Sequence, residues 1–193
     1  MKPAISQFND LVENLKKTKA RNFTELEIMD YIKPYLVDLI KNSSSWLEDK
    51  YYKVDQEAGF NGFKIYEEPD HACAIYVTTW LPSRGAPPHN HGTWALIGGL
   101  LGEETNTFWR RLDDYSKEGY AEIQKINEVV CKPGDILMLD SNSIHSVINQ
   151  ASHISISIQI YGKHPHYTNR VQFNIETNET TPFYGKEASV IED

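Results

Sequence analysis

Hydrophobic residues recur with helical spacing in the first third of the chain. One apolar stripe follows i, i+3, i+4, i+7 spacing through Phe8, Leu11, Val12 and Leu15. Thr24 and Glu27 form a T-x-x-E capping box, which predicts the start of a second helix with a stripe that runs to Ile40. Pro34 lies inside this stripe and lacks a backbone N–H, so we expect it to kink or split the helix.

From about Gly62 the pattern changes to short strands bounded by Gly, Pro, Asn, Asp or Ser. The absence of helical patterns between them favours an antiparallel sandwich or barrel. We predict one domain over 1–193, with a helical layer over 1–50, a β-barrel over 60–175 and a tail over 176–193. The candidate strands are Phe63–Glu67, Ala72–Leu81, Thr93–Leu101, Asn106–Arg111, Ala121–Val130, Asp135–Leu139, His145–Ile148 and His153–Tyr161.

The last predicted strand has a strict period of two, which separates an isoleucine face from a polar face. If the isoleucines face a helix layer, the polar residues line an internal cavity; if the isoleucines face the core, the polar residues are solvated. We favour the cavity, because the metal site described below requires one. The polar face consists of Ser155, Ser157, Gln159 and Tyr161.

Composition narrows the possible partners. The 193 residues carry a net charge of −8 and no cluster of Lys and Arg, which disfavours nucleic acid and anionic membranes. No segment approaches the roughly 20 apolar residues that span a bilayer, and the N-terminus lacks an apolar signal core. Two cysteines, Cys73 and Cys131, favour reduced thiols in a cytoplasmic protein. No segment indicates an oligomer interface, so the oligomeric state stays open.

Three histidines suggest a metal site. His89 and His91 stand at i and i+2, so on a strand their side chains would share one face. An isolated H-x-H also occurs by chance on exposed strand edges, but His145 opens a later strand and offers a third ligand. Three imidazoles suit Fe(II), Zn(II), Ni(II), Co(II) or Cu(II), and three protein ligands leave coordination positions open for water or substrate.

The segments around these histidines resemble the two sequence motifs of the cupin superfamily. Pro87–Gly102 is similar to the first motif, and Pro133–Asn149 is similar to the second, including its H-x-x-x-N ending. The usual glutamate of the first motif is absent near Ala95, which leaves three histidines, as in the thiol dioxygenase branch. The likeness extends over roughly Ala72 to Phe183. It implies a double-stranded β-helix, a jelly-roll barrel, with the N-terminal helices packed outside.

Members of this branch, cysteine dioxygenase and 3-mercaptopropionate dioxygenase, use Fe(II) and O2 to convert a small carboxylated thiol to a sulfinate. The resemblance implies that His89, His91 and His145 bind the iron. Ser157 and Tyr161 match two members of a Ser–His–Tyr hydrogen-bonded set beside it, and Arg170 matches an arginine that binds the substrate carboxylate.

The chain departs from this branch at three points. Gln159 replaces the histidine of the Ser–His–Tyr set and cannot ionise near neutral pH. No cysteine lies near Leu96 to cross-link a tyrosine, and no arginine ahead of H-x-H matches that of cysteine dioxygenase. The last two absences disfavour free cysteine as substrate. Gln159 keeps other metal-dependent cupin reactions open, such as oxidative C–C cleavage or isomerisation, and a non-catalytic ligand-binding cupin is a third alternative.

Other side chains near these motifs have more ordinary interpretations. Trp80 and Trp94 could wall the pocket or belong to the core. The pair Glu103–Glu104 is typical of a solvated strand end, and His164 is expected in an irregular loop.

Overall fold

The helical periodicity of the N-terminal third forms two helices, α1 (Ser6–Thr18) and α2 (Glu25–Lys41). They are seen in a computed structural model that describes residues 5–183. The predicted capping box is present at the start of α2. The Thr24 hydroxyl accepts from the Glu27 backbone N–H at 3.3 Å, and the Glu27 carboxylate accepts from the Thr24 N–H at 2.8 Å.

Helix α2 continues through Pro34, so of the two expected effects of this proline the split does not occur, while a kink stays a prediction. Proline removes one backbone hydrogen bond from the helix. The side chains of Ile32 and Leu36 on either side of it are completely buried. Burial of this apolar face compensates for the missing bond, because tertiary packing supplies most of the stability of a helix in a protein.

Eleven strands and three short 3-10 turns follow the helices within the described part of the chain. The turns span Ser43–Ser45, Asp49–Tyr52 and Pro165–Tyr167. The strands are β1 (Phe60–Glu67), β2 (Ala74–Trp80), β3 (Gly85–His89), β4 (Ala95–Leu101), β5 (Glu104–Arg111), β6 (Ile123–Cys131), β7 (Ile136–Leu139), β8 (Ile144–Ile148), β9 (Ser155–Tyr161), β10 (Val171–Phe173) and β11 (Thr180–Pro182).

The strands form a five-stranded sheet, ordered β1-β2-β9-β4-β7, and a six-stranded sheet, ordered β11-β10-β3-β8-β5-β6. All pairings between these strands are antiparallel. The inner quartets β2-β9-β4-β7 and β3-β8-β5-β6 interleave along the chain as the eight strands of a jelly roll do. The predicted mainly β fold, a cupin-type double-stranded β-helix, is therefore confirmed.

The helices cover the outer face of the five-stranded sheet. Ile156, Ile158 and Ile160 of β9 share one core cluster with Leu36 of α2 and Leu11 of α1. The alternate residues of β9 therefore point into the barrel, where a smaller cluster surrounds Tyr161. The favoured arrangement of this strand, isoleucines toward the helices and polar residues inward, is confirmed, and the helices pack outside the barrel as expected.

Strand β3 was not predicted, because Pro87 and Pro88 occupy its centre. Its pairing with β8 starts at Gly85, shifts register between Ala86 and His89, and resumes at His89. Proline cannot donate to a ladder of hydrogen bonds and is tolerated at such irregularities. The strand thus accommodates both prolines and still ends with His89 inside the barrel. Neither described helix is long and apolar enough to cross a membrane.

Candidate metal centre

The fold brings the three predicted histidines together at the inner face of the six-stranded sheet. His89 ends β3 and pairs directly with His145 of β8. His91 does not continue the strand, as its i, i+2 spacing suggested, but lies in the bend that leads to β4. The next residue, Gly92, has a φ of +63°, and a Cβ there would lie 3.2 Å from Thr168. Glycine therefore permits the turn that aims His91 at the other two rings.

The ring nitrogens converge with the spacing of metal ligands. The Nε2 atom of His91 lies 3.1 Å from that of His89 and 3.3 Å from that of His145. The candidate ligand atoms of all three residues lie within 4.8 Å of one another, and all three side chains are buried. Two nitrogens bound at right angles to one ion at about 2.1 Å would be about 3.0 Å apart. The cluster could therefore hold a metal ion.

Hydrogen bonds behind the rings fix where the protons sit. The Nδ1–H of His89 donates to the Pro87 carbonyl at 2.8 Å. The Nδ1–H of His145 donates to Oδ1 of Asn106 at 3.0 Å. Asn106 is oriented in turn by its amide nitrogen, which donates to the Glu104 carbonyl at 3.2 Å. Both rings therefore present the Nε2 lone pair inward, as metal-binding histidines do.

Burial keeps these histidines neutral. It holds the pKa of His89 and of His91 well below the ordinary range, and it lowers the pKa of His145 to about 3. The positive charge of Arg170 acts in the same direction on all three. Neutral imidazole is the form that binds a metal. The donor set, its tautomers and its spacing thus fit a divalent transition metal.

The polar face of β9 forms a hydrogen-bonded chain beside the histidines. The Tyr161 hydroxyl donates to Oε1 of Gln159, and the Gln159 amide donates to Oγ of Ser157 at 3.4 Å. The ring of Tyr161 stands edge-on to His91, with 5.1 Å between the ring centroids. Burial raises the pKa of Tyr161 to about 12, so this phenol keeps its proton at neutral pH. Gln159 thus joins Ser157 to Tyr161 through hydrogen bonds without being ionisable.

Arg170 brings a positive charge to the same site. Its guanidinium lies 4.4 Å from the centroid of the Phe183 ring, which itself packs against His89. The buried Nε atom has no hydrogen-bond partner in the described part of the chain. None of the ion pairs formed by residues 5–183 involves Arg170. An enclosed cation without a carboxylate partner is suited to bind an anionic ligand.

A second tyrosine, which was not predicted from the sequence, lies beside Gln159 and Tyr161 on the five-stranded sheet. Tyr76 of β2 pairs with Gln159 in register, and its ring centroid is 6.1 Å from that of Tyr161. The Tyr76 hydroxyl lies 2.6 Å from Nε2 of His164. Because Nδ1 of His164 accepts from the His166 N–H, its Nε2 carries the proton and donates to Tyr76. The two-residue period of β2 could have revealed Tyr76, but its contact with the His164 loop could not be predicted.

The two predicted tryptophans lie in apolar surroundings. Trp94 belongs to the large core cluster that includes the helices. Its indole also occupies the space that a Cβ at Gly162 would fill, 2.2 Å away. Trp80 packs against Phe60, with 5.0 Å between the ring centroids. That either indole walls a substrate pocket stays a prediction.

Glu104 is the clearest error of the sequence interpretation. Its side chain is only 3% exposed rather than solvated, whereas the adjacent Glu103 is exposed. Oε1 of Glu104 accepts from the Ser155 hydroxyl at 3.1 Å. The short alternation of Glu104, Asn106 and Phe108 along β5 was the available signal, because residues two apart on a strand share a face.

No family model matches the chain. Among solved structures, it is similar to a Klebsiella pneumoniae protein with a double-stranded β-helix domain, at 14% identity over 64% of this chain and 91% of that one, with a TM-score of 0.45. A cupin superfamily protein from Desulfitobacterium hafniense shares 19% identity over 56% of this chain and 79% of that one, with a TM-score of 0.40. The DMSP lyase DddQ from Ruegeria pomeroyi shares 17% identity over 62% of this chain and 54% of that one, with a TM-score of 0.45. These likenesses are weak, and the fold assignment rests on the strand order.

Proposed function

We propose that this protein is an Fe(II)-dependent dioxygenase that oxidises the thiol of a small carboxylated thiol, such as 3-mercaptopropionate, to a sulfinate. The observation that carries the proposal is the guanidinium of Arg170 beside the three buried histidines, which forms no ion pair with any carboxylate of residues 5–183. The histidines suit a redox metal and leave room for further ligands, while Arg170 suits a carboxylate. A short molecule with a thiol at one end and a carboxylate at the other matches both.

The reaction adds O2 to a thiolate, RS⁻ + O2 → RSO2⁻, so that two S–O bonds form, sulfur is oxidised by four electrons and O2 is reduced. A bound ferrous ion would supply the redox chemistry for this addition. Arg170 would pair with the carboxylate through two parallel hydrogen bonds and so fix the position of the sulfur. Tyr161 keeps its proton and would offer its hydroxyl group to the reacting groups from beside His91.

The test is O2 consumption by full-length protein loaded anaerobically with Fe(II). Matched substrates separate the two recognition elements: 3-mercaptopropionate carries both groups, cysteamine lacks the carboxylate and propionate lacks the thiol. We expect rapid uptake with 3-mercaptopropionate, much slower uptake with cysteamine and none with propionate. Sulfinate measured by mass spectrometry should equal the O2 consumed. A fully iron-loaded protein that consumes no O2 with any thiol would contradict the proposal.

Gln159 favours a second candidate, a different metal-dependent reaction at the same histidines. A histidine at this position could exchange a proton near neutral pH, whereas an amide cannot. Oxidative C–C cleavage and isomerisation are reactions of this kind, and neither needs a thiol. Uptake of O2 or substrate turnover that is independent of thiol would support this candidate, and binding without turnover would support a ligand-binding cupin.

A further inference from the structure

Glu104 extends the hydrogen-bonded chain of β9 into the opposite sheet. It is the first residue of β5, in the six-stranded sheet, whereas Ser155 and Ser157 belong to the five-stranded sheet. Its carboxyl group accepts from the Ser155 hydroxyl at 3.1 Å, and Ser157, two residues further along the same face of β9, lowers the pKa of Glu104 as a hydrogen-bonding neighbour. The carboxyl group therefore lies next to the end of a hydrogen-bonded path that runs from Tyr161 through Gln159 to Ser157.

The hydrogen bonds of this path run in one direction. Tyr161 donates to the oxygen of Gln159, and the nitrogen of Gln159 donates to Ser157. The Ser157 hydroxyl hydrogen is then left to donate to the neighbouring Glu104 when that group is a carboxylate. The Tyr161 hydrogen is then committed to Gln159. Only the oxygen lone pairs of Tyr161 remain for the space beside the histidines.

A proton on Glu104 would reverse this direction. A carboxylic acid donates to Ser157, which can then donate to Gln159. Rotation of the Gln159 amide by half a turn exchanges its oxygen and nitrogen, because the group carries both an acceptor and donors. The amide nitrogen then donates to Tyr161, and the hydroxyl hydrogen of Tyr161 is released toward the metal centre. Only hydrogen bonds change; no bond between heavy atoms forms or breaks.

We propose that Glu104 is a positioning residue whose protonation sets, through Ser157 and Gln159, whether the Tyr161 hydroxyl donates into the site or accepts from it. The inference rests on the proposed function only in taking Tyr161 to face the substrate. Glu104 would supply the ionisable group that is missing at Gln159, at a position farther from the reacting atoms.

The surroundings of Glu104 allow it to change protonation near neutral pH. Burial raises the pKa of Glu104 to about 7, against hydrogen bonds from Ser157 and Ser155 that act in the opposite direction. Among residues 5–183, the titratable groups that face it are the thiol of Cys131, directly opposite on β6, and the phenol of Tyr161 on β9. Burial raises the pKa of each to about 12, so both stay neutral while Glu104 titrates.

The test follows the Tyr161 hydroxyl by NMR in the full-length chain, both metal-free and loaded with Zn(II). Tyrosine labelled with carbon-13 at the phenol carbon reports the hydrogen bonding of each hydroxyl, and Tyr161→Phe identifies the relevant signal. We expect the Tyr161 signal to shift with a midpoint at about pH 7. This shift should be lost in Glu104→Gln and retained in Glu103→Gln, the matched change at the exposed neighbour.

A Tyr161 signal that titrates equally in the parent and in Glu104→Gln overturns the proposal, and so does a signal that does not titrate in the parent. Ser157→Ala leaves the carboxyl in place and interrupts the path, so it must also abolish the shift. Ser157→Ala decides the question if Glu104→Gln fails to fold. The NMR measurement needs no turnover, so the two proposals can fail separately. If the shift is lost in Glu104→Gln but the parent protein oxidises no thiol, the proposed function is rejected and the role of Glu104 stands.

Discussion

Arg170 places a positive charge against an apolar ring and three neutral imidazoles, where no described carboxylate compensates it. Burying an unpaired charge is costly, and an anionic ligand would offset that cost. We expect Arg170→Ala to raise KM for 3-mercaptopropionate by about 10- to 100-fold, since a hydrogen bond to a charged group contributes about 1.5–3 kcal/mol. Steady-state O2 uptake measures the change.

The same substitution should leave the KM for cysteamine nearly unchanged, because cysteamine has no carboxylate to lose. Arg110→Ala removes an equal charge from the exposed face of β5 and serves as the matched control. Equal KM values for parent and Arg170→Ala with the carboxylated thiol would remove the anchoring role of Arg170.

Asn106 acts on the metal centre from behind His145. The Asn106 side chain is completely buried and holds the Nδ1–H of His145, so it sets both the tautomer and the angle of the ring. We expect Asn106→Ala to weaken Zn(II) binding by about 10- to 100-fold while all three histidines remain. Competition with a chromogenic chelator measures this affinity. Asn127→Ala, at an exposed position of β6, should bind Zn(II) as the parent does.

At the scale of elements, helix α2 supports the sheet that carries β9. Leu36 is fully buried in the core cluster shared with the isoleucines of β9, whereas Leu26 of the same helix is 59% exposed. We expect Leu36→Ala to lower the free energy of unfolding by about 2–5 kcal/mol, because it leaves a cavity. Leu26→Ala should change it by no more than about 0.5 kcal/mol. Urea denaturation measures both, and equal losses would show that α2 does not support the sheet.

The elements that could be predicted are those whose pattern is local. The capping box of α2 and the alternation of β9 depend on residues close in sequence, and both predictions were confirmed. Strand β3 was missed because two prolines disguise it, and β10 and β11 were missed because they are only three residues long. A strand of three residues is too short to show a period.

In the candidate site, too, local sequence patterns were predicted and contacts between distant residues were not. The histidines could be found because H-x-H is a short local pattern, and they meet as expected. The burial of Glu104 was missed although β5 alternates around it, because its hydrogen-bond partner, Ser155 of β9, lies 51 positions away in the sequence. Asn106 and Tyr76 were likewise missed, since their partners lie 39 and 88 positions away.

At the scale of the whole molecule, Glu104 makes the stability of the fold depend on pH. Its pKa rises from an ordinary 4.5 to about 7 in the folded state, so between these values the folded chain binds more protons than the unfolded chain. The contribution of Glu104 to the free energy of unfolding therefore becomes less favourable as the pH rises from about 4.5 through 7. Relative to the parent, Glu104→Gln should gain stability between pH 5 and pH 8, by up to about 3 kcal/mol.

Urea denaturation at pH 5 and pH 8 measures the free energy of unfolding of both proteins. Subtracting the parent's value from that of Glu104→Gln at each pH removes the contributions of all other groups. Glu103→Gln should show no such gain, because the Glu103 side chain is exposed in the folded state. A pH dependence of Glu104→Gln that parallels the parent would mean that the Glu104 carboxyl has the same pKa in both states.

A bound metal would join parts of the molecule that the strand pairing leaves separate. His89 and His145 lie on neighbouring strands of the six-stranded sheet, while His91 lies in the connection to β4 of the five-stranded sheet. An ion held by all three would therefore tie the two sheets together at one point. A ligand that binds only the folded state at 100 times its Kd adds about 2.7 kcal/mol to stability.

For a chain of this length that gain corresponds to a rise in Tm of about 5–10 °C. We expect this rise when Fe(II) or Zn(II) is added to the parent protein, and its disappearance in His145→Ala. His153→Ala removes an exposed histidine outside the cluster and should keep the full rise. A metal-dependent rise that survives in His145→Ala would show that the ion binds elsewhere, whereas its loss only in that variant would tie the stability of the barrel to these three side chains.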